Sequence, residues 1–426
     1  MRGLGALAGA GASDALSRAT GAADPRALRE PRAPATAGTA VAASDKGTVT
    51  ERRPAIPRWM QGVPVNQWTA IPGTALSGMD CSAQLAAGLT NPRFQDIGYG
   101  DPRRGILAYS GGALKADGSE MLIFGGGGAG AWAGNDVRGL RLEDDAPIWR
   151  TRVNPTVAAH VSSRYAPPAA YMLDGKTPSA RHSYWSPQFI DAKNRFMVFG
   201  CAITWSSDTG QFFAVDGVAI DTGVWDTPRT YPDLPLRRGW DGNWTCKHPV
   251  SEDVYVSSAS AVSKWTRARN SWSTLWQSAR TDVDRASAAI DPTGSGTLLR
   301  VGDYGAHNIP LAIDLATGEA TVGSFSGPHG GSVSIGGYYA AGLVFDKGLG
   351  KFLLFQDDGH LYAVTRVSAA DWSVDRMALK GTAPDAMHSA GPGLPAIWGR
   401  MQYVPTLDGV CIIQAYDRPA YFVKTR

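Results

Sequence analysis

Six short apolar runs recur along this chain, and their spacing constrains the fold more than any other feature. They are MLIF from Met121, FMVF from Phe196, VYV from Val254, LLRV from Leu298, FLLF from Phe352 and VCII from Val410, separated by 75, 58, 44, 54 and 58 residues. A turn signal stands just ahead of each: Ala116-Asp117-Gly118, Lys193-Asn194, Ser251-Glu252-Asp253, Thr293-Gly294-Ser295-Gly296, Gly348-Leu349-Gly350 and Asp408-Gly409. Gly, Asn and Asp accept the left-handed backbone of a tight hairpin at little cost. Upstream of most runs lies a second strand-like stretch, namely ILAYSG, YWSPQFID, SAAID, AAGLVFD and MQYVP. The chain therefore repeats one antiparallel hairpin six times, with almost no helical periodicity between.

A second hairpin follows each run, and its last strand often carries tryptophan. GLRLEDDAPIWRT brings Trp149, GVAIDTGVWDT brings Trp225, SKWTRARNSWSTL brings Trp272 and VSAADWSVDRM brings Trp372, whereas AIDLATGEATV keeps the turn without the ring. Four strands per repeat of roughly 45–60 residues is the period of an all-β β-propeller. Twisted sheets stacked radially hide their faces against one another, so no repeat needs a core of its own. The last repeat, RMQYVPTLDGVCIIQAYDRPAYFVKTR, supplies three strands. Its outer strand is expected near residues 66–72, in NQWTAIPG, where Trp68 matches the other outer-strand tryptophans; pairing beside Tyr421–Lys424 then closes the ring. Six blades follow. A seventh follows only if residues 75–99 or 160–173 hide a degenerate one.

The stretch EMLIFGGGGAGAWAGNDVRGLRLEDDAPIWRT closely resembles a kelch repeat: four apolar residues, a diglycine, a variable loop, Asn-Asp, a strand, then tryptophan. SARHSYW, ahead of the second run, is similar to the kelch strand start. Beyond these the pattern fades, the diglycine becoming Gly200-Cys201, Ser257-Ser258 and Gln356-Asp357. The resemblance implies a propeller of the kelch-repeat, galactose oxidase-like superfamily. Copper oxidases of that superfamily hold their metal with two tyrosines and two histidines. This sequence has no Tyr-His dipeptide, so neither copper nor another cofactor is expected.

Residues 1–58 contain no Phe, Trp or Tyr and read as an Ala/Gly/Pro/Arg-rich leader or anchoring tail, expected to be disordered alone. Residues 59–426 carry the propeller. The leader holds nine basic and five acidic side chains, which leaves the other 368 residues close to neutral. Nucleic acid is therefore not an expected partner, since a binder of it places its basic excess on the fold. No stretch approaches 18 apolar residues, which excludes a membrane-spanning helix. Cys81, Cys201, Cys246 and Cys411 form no CxxC pair, and buried free thiols are expected rather than a zinc site.

Function must come from a site on the scaffold. The loops after each second strand share a face with the blade-to-blade connections, and that face collects Trp132, Trp205, Tyr304, His307, Asp357, His360, Tyr416 and Arg418. Flat rings beside forked donors suit sugars or protein side chains. Arg181, Arg285 and Arg400 are expected at the start of innermost strands, either as a cationic ring in the central channel or as donors to inner-strand carbonyls or carboxylates. No HExxH, GxSxG or Walker loop is present. The expected function is a non-enzymatic binding or structural module that recognises carbohydrate or protein on the loop face. Two alternatives stand beside it. One is a virion component, a phage tail or surface appendage, anchored into a larger assembly through residues 1–58. The other is a carbohydrate-active enzyme on the same propeller: a polysaccharide lyase, a glycosidase or a galactose oxidase-like oxidase. An extracellular, surface or virion location is expected over a cytoplasmic one.

Overall fold

The computed structural model describes residues 56–88, 101–107, 109–125, 134–157, 174–202, 211–235, 244–257, 261–277, 286–302, 309–333, 341–356, 358–384 and 397–426. They form six sheets; in four of them the strands follow chain order from innermost to outermost, and in the other two an earlier segment of the chain supplies the outermost strand. Blade 1 comprises Gly112–Leu114, Glu120–Phe124, Val137–Arg141 and Trp149–Val153. Blade 2 comprises Pro187–Ile190, Arg195–Ala202, Gln211–Ala219 and Val224–Trp225. Blade 3 comprises Thr245–Lys247, Val254–Ser257, Ala261–Thr266 and Ser271–Gln277. Blade 4 comprises Ser287–Asp291, Thr297–Val301, Leu311–Asp314 and Ala320–Val322. Blade 5 comprises Gly342–Asp346, Lys351–Phe355, Leu361–Arg366 and Asp371–Arg376. Blade 6 takes Met401–Val404, Gly409–Ile412 and Tyr421–Lys424 from the end of the chain. The innermost strands neighbour one another in cyclic order, and that of blade 6 returns to that of blade 1. The protein is a six-bladed β-propeller.

The six apolar runs are the second strands, and their position explains why they read as continuous rather than alternating. Each second strand is covered on both faces by neighbouring blades. In blade 2, Phe196 and Val198 point toward blade 1 while Met197 and Phe199 point toward blade 3. In blade 5, Phe352 and Leu354 face blade 4 while Leu353 and Phe355 face blade 6. Every residue of FMVF and FLLF is core. The alternation is still there, sorted between two interfaces.

Closure takes the form expected from the sequence. Trp68–Ala70 is the outermost strand of blade 6 and runs antiparallel to Tyr421–Lys424, with Trp68 opposite Val423 and Ala70 opposite Tyr421. The Trp68 ring is 5% exposed and packs edge-on against Phe355 of blade 5 and Tyr421. Ahead of it, Trp59 stands edge-on to Phe422 and donates its indole N–H to Leu142 O at 2.9 Å. The N-terminal strand thus covers two interfaces at once.

Three sequence expectations need correction. Residues 75–88 form a 3₁₀ turn, Leu76–Gly78, and a short helix, Ser82–Ala86, rather than a seventh blade; the other candidate, residues 160–173, lies outside the described residues. The stretch ILAYSG is not a strand, because the innermost strand of blade 1 starts only at Gly112 and Tyr109 before it has φ 55°. Blade 5 also gains a fifth strand, Ser324–Ser326, which pairs in parallel with Asp371–Arg376. It comes from the connection leaving blade 4.

Candidate functional site

The innermost strands surround the propeller axis. Each begins at the face carrying the blade-to-blade connections and ends at the face of short turns, where the hairpin to the second strand is made. A cavity of about 250 Å³ runs along the axis and touches all six blades. Its walls include Leu114, Ala288, Leu343 and Met401. At the loop end it is lined by Trp185 and Trp398, each 3% exposed. At the turn end its rim is formed by Ala116, Pro249, Lys347 and Pro405, all exposed.

Above the buried floor, blades 1, 2 and 6 build an aromatic cluster. Tyr109, Tyr184 and Trp398 each stand three residues ahead of an innermost strand, those starting at Gly112, Pro187 and Met401. All three have positive φ, at 55°, 42° and 44°. A bulky side chain pays about 1–3 kcal/mol for that backbone region, and such residues gather at ligand clamps and active sites. Burial of Tyr184 and Trp398 offsets the strain, at about 1.5–3 kcal/mol for a large side chain. His182 stacks on Tyr109 with centroids 4.2 Å apart and planes 14° apart, and its Nδ1 lies 2.9 Å from Tyr184 Oη. Trp398 closes the group, 5.4 Å from Tyr184 and 6.1 Å from Tyr109. Tyr109 and His182 keep partial exposure. The floor is rigid and the upper pair is reachable.

Glycine permits this packing. A Cβ on Gly111 would stand 1.6 Å from Tyr184 O, and one on Gly399 would stand 2.7 Å from Gly112 O. Both contacts are backbone to backbone across a blade junction, so neither can relax by rotamer change. Gly111→Ala is expected to destabilise the protein by about 3 kcal/mol or more, above the usual overpacking range because backbone must move. Urea denaturation measures it, and a loss under 1 kcal/mol would show that the junction is looser than described.

The arginines go to the backbone. Arg400 is fully buried and donates from Nε to Ile413 O at 3.1 Å and from Nη1 to Leu107 O at 2.8 Å and Ser110 O at 2.7 Å. Burial pushes its pKa down to about 9, so it stays cationic at neutral pH. Arg181, also fully buried, donates to Ala214 O at 3.3 Å and pairs with Asp216 of its own blade. It sits six residues ahead of Pro187 and Arg400 only one ahead of Met401, so the two are not equivalent positions. Neither lines the axial cavity. Arg285 lies outside the described residues.

The other expected site residues divide similarly. Trp132, Trp205, Tyr304, His307 and Asp357 lie outside the described residues. His360 is on the loop face of blade 5, with Arg376 Nη1 3.4 Å from its Nε2 and Tyr362 edge-on at 6.4 Å. Tyr416 is on the same face of blade 6, under the Arg104 guanidinium at 5.5 Å, and Arg418 is exposed two residues on. None of Tyr109, His182, Tyr184 and Trp398 was among the binding residues expected from the sequence. The available signal was an aromatic three residues ahead of the innermost strand in blades 1, 2 and 6. Tyr339 holds the same offset before Gly342, although it lies outside the described residues.

Among the described residues no group of three His, Cys, Asp or Glu side chains is placed to hold a metal ion. Cys81, Cys246 and Cys411 are buried free thiols, and burial raises the pKa of each. No protein-family model matches the chain, and no curated protein is similar to it in sequence.

Proposed function

We propose that this propeller is a carbohydrate-binding module whose ligand meets the loop face where blades 6, 1 and 2 converge. The observation that carries the reading is the stacked pair Tyr109 and His182, held on a strained and buried floor. Sugar rings present C–H faces to aromatic planes, and this part-exposed pair offers aromatic ring surface. Preorganisation lowers the entropy lost on binding, and three left-handed aromatics anchored by packing supply it. His360, Tyr416 and Arg418 on the same face would extend the contact outward. The kelch-like pattern of the blade 1 sequence belongs to this proposal, as does an extracellular or surface location.

Immobilised uronic-acid, sialylated and galactose-terminated glycans test it. Tyr109→Ala should weaken the best ligand about tenfold or more with little change in Tm, because Tyr109 is part-exposed and contributes less to folding than Tyr184 or Trp398. Unchanged affinity in that variant, or no ligand in the panel, would contradict the reading. The hydrogen-bonded His182 and Tyr184 also form an arrangement able to move a proton. Release of product from any of these glycans, lost in Tyr184→Phe, would make the module an enzyme instead.

A further inference from the structure

The axial cavity has a different chemistry at its other end. The residues lining it include three lysines, Lys115, Lys247 and Lys347, and no carboxylate. Lys247 is committed: its ammonium lies 3.1 Å from Asp191 and 3.9 Å from Glu252. Lys115 and Lys347 have no carboxylate within 4 Å among the described residues, and Lys347 is exposed at the rim. Lys115 holds its ammonium 5.5 Å from the Phe189 ring, near the start of the turn. Below these cations the wall is mainly apolar, through Leu114, Ile290, Val344 and Met401, with Gln188, Thr245 and Gln402 among them, and it reaches Trp185 and Trp398. A mainly apolar shaft with lysines at its rim selects for a ligand with the opposite polarity along its length.

We propose that the axial cavity is a second binding site, entered from the turn face, for an apolar chain that ends in a carboxylate. The volume of about 250 Å³ falls just below the roughly 300–1,000 Å³ of pockets for drug-sized ligands, so a single short chain fits and a folded partner does not. The chain buries its hydrocarbon against the strands while its carboxylate stays at the mouth between Lys115 and Lys347, where neither charge must be desolvated fully. The site does not rest on the loop-face reading, since its mouth residues Ala116, Pro249, Lys347 and Pro405 lie at the turn end and Tyr109 and His182 at the loop end.

Octanoate is the probe, titrated calorimetrically into the full chain, with octyltrimethylammonium as the equal-length cation. Octanoate should bind saturably and at least tenfold tighter than the cation. Lys115→Glu combined with Lys347→Glu should lower octanoate affinity about tenfold without a change in Tm, because both side chains reach solvent. Lys176→Glu, an exposed lysine that does not line the cavity, should leave affinity unchanged and so separates local contact from net charge. N-acetylleucine distinguishes the source of the ligand: tighter binding than octanoate supports the site with a protein C-terminus as occupant, weaker binding supports it with a free fatty acid. Absence of saturable octanoate heat, equal affinity for the cation, or full affinity in the double variant would overturn the proposal.

Discussion

A chain beginning at Gly73 is expected to lose the whole ring, not one blade. Without Trp68–Ala70, blade 6 keeps three strands and exposes the Tyr421–Lys424 edge, which then has no partner for its ladder. The loss reaches further, because Asn66 donates its N–H to Lys424 O at 2.8 Å and Lys380 donates to Asn66 O at 2.9 Å. Removal of a fully packed tryptophan side chain alone costs about 3–5 kcal/mol; Trp68 packs in the blade 5 to blade 6 interface, and Met60 and Ile71, lost with it, pack in the blade 6 to blade 1 interface. Total stability of a natural domain is about 5–15 kcal/mol, so the truncated chain should be largely unfolded at room temperature. Deletion of residues 1–50, which contain no aromatic residue, should leave Tm nearly unchanged. Far-UV circular dichroism and thermal melts of both truncations measure the contrast. Equal effects would refute closure by the N-terminal strand.

Arg400→Met is expected to be the most damaging single substitution at the closure. Its guanidinium joins blade 6 to the connection entering blade 1 by donating to Ser110 O and Leu107 O, 290 and 293 residues away in sequence. Methionine fills much of the volume but leaves those carbonyls and Ile413 O without this donor. Each buried acceptor left unsatisfied costs about 1–3 kcal/mol, for a total on the order of 4 kcal/mol after partial relaxation. Arg400→Lys should recover part of this, since an ammonium keeps the charge but cannot reach three carbonyls in one plane. The midpoint of urea denaturation reports both variants. A Met variant within 1 kcal/mol of the parent would mean that other donors serve these carbonyls.

The second strands were legible because burial on both faces leaves a run with no polar interruption, as in FMVF and FLLF. Trp68 was legible because an unpaired outer strand had to exist somewhere. The innermost strands were harder. Thr245–Lys247 and Gly112–Leu114 are three residues long and lie where blades converge, so small residues suffice and little pattern remains. Ser324–Ser326 reads as a loop because its pairing with Asp371–Arg376 is set by tertiary contact, not by its own composition. The aromatic cluster was hidden for a similar reason. Nothing local favours φ 44° at Trp398; packing across three blades imposes it. Arg181 was misjudged as a strand-start residue since the strand begins six positions later, after the turn through Tyr184.

The central functional claim is that a sugar stacks on Tyr109 and His182 at the loop face. Saturation-transfer NMR on the full chain with the tightest glycan of the panel tests it most directly. Transfer is expected from the Tyr109 and His182 ring protons to the C–H face of one sugar residue, lost in Tyr109→Ala while the fold persists. Transfer from any other surface, with the Tyr109→Ala spectrum unchanged, would contradict it.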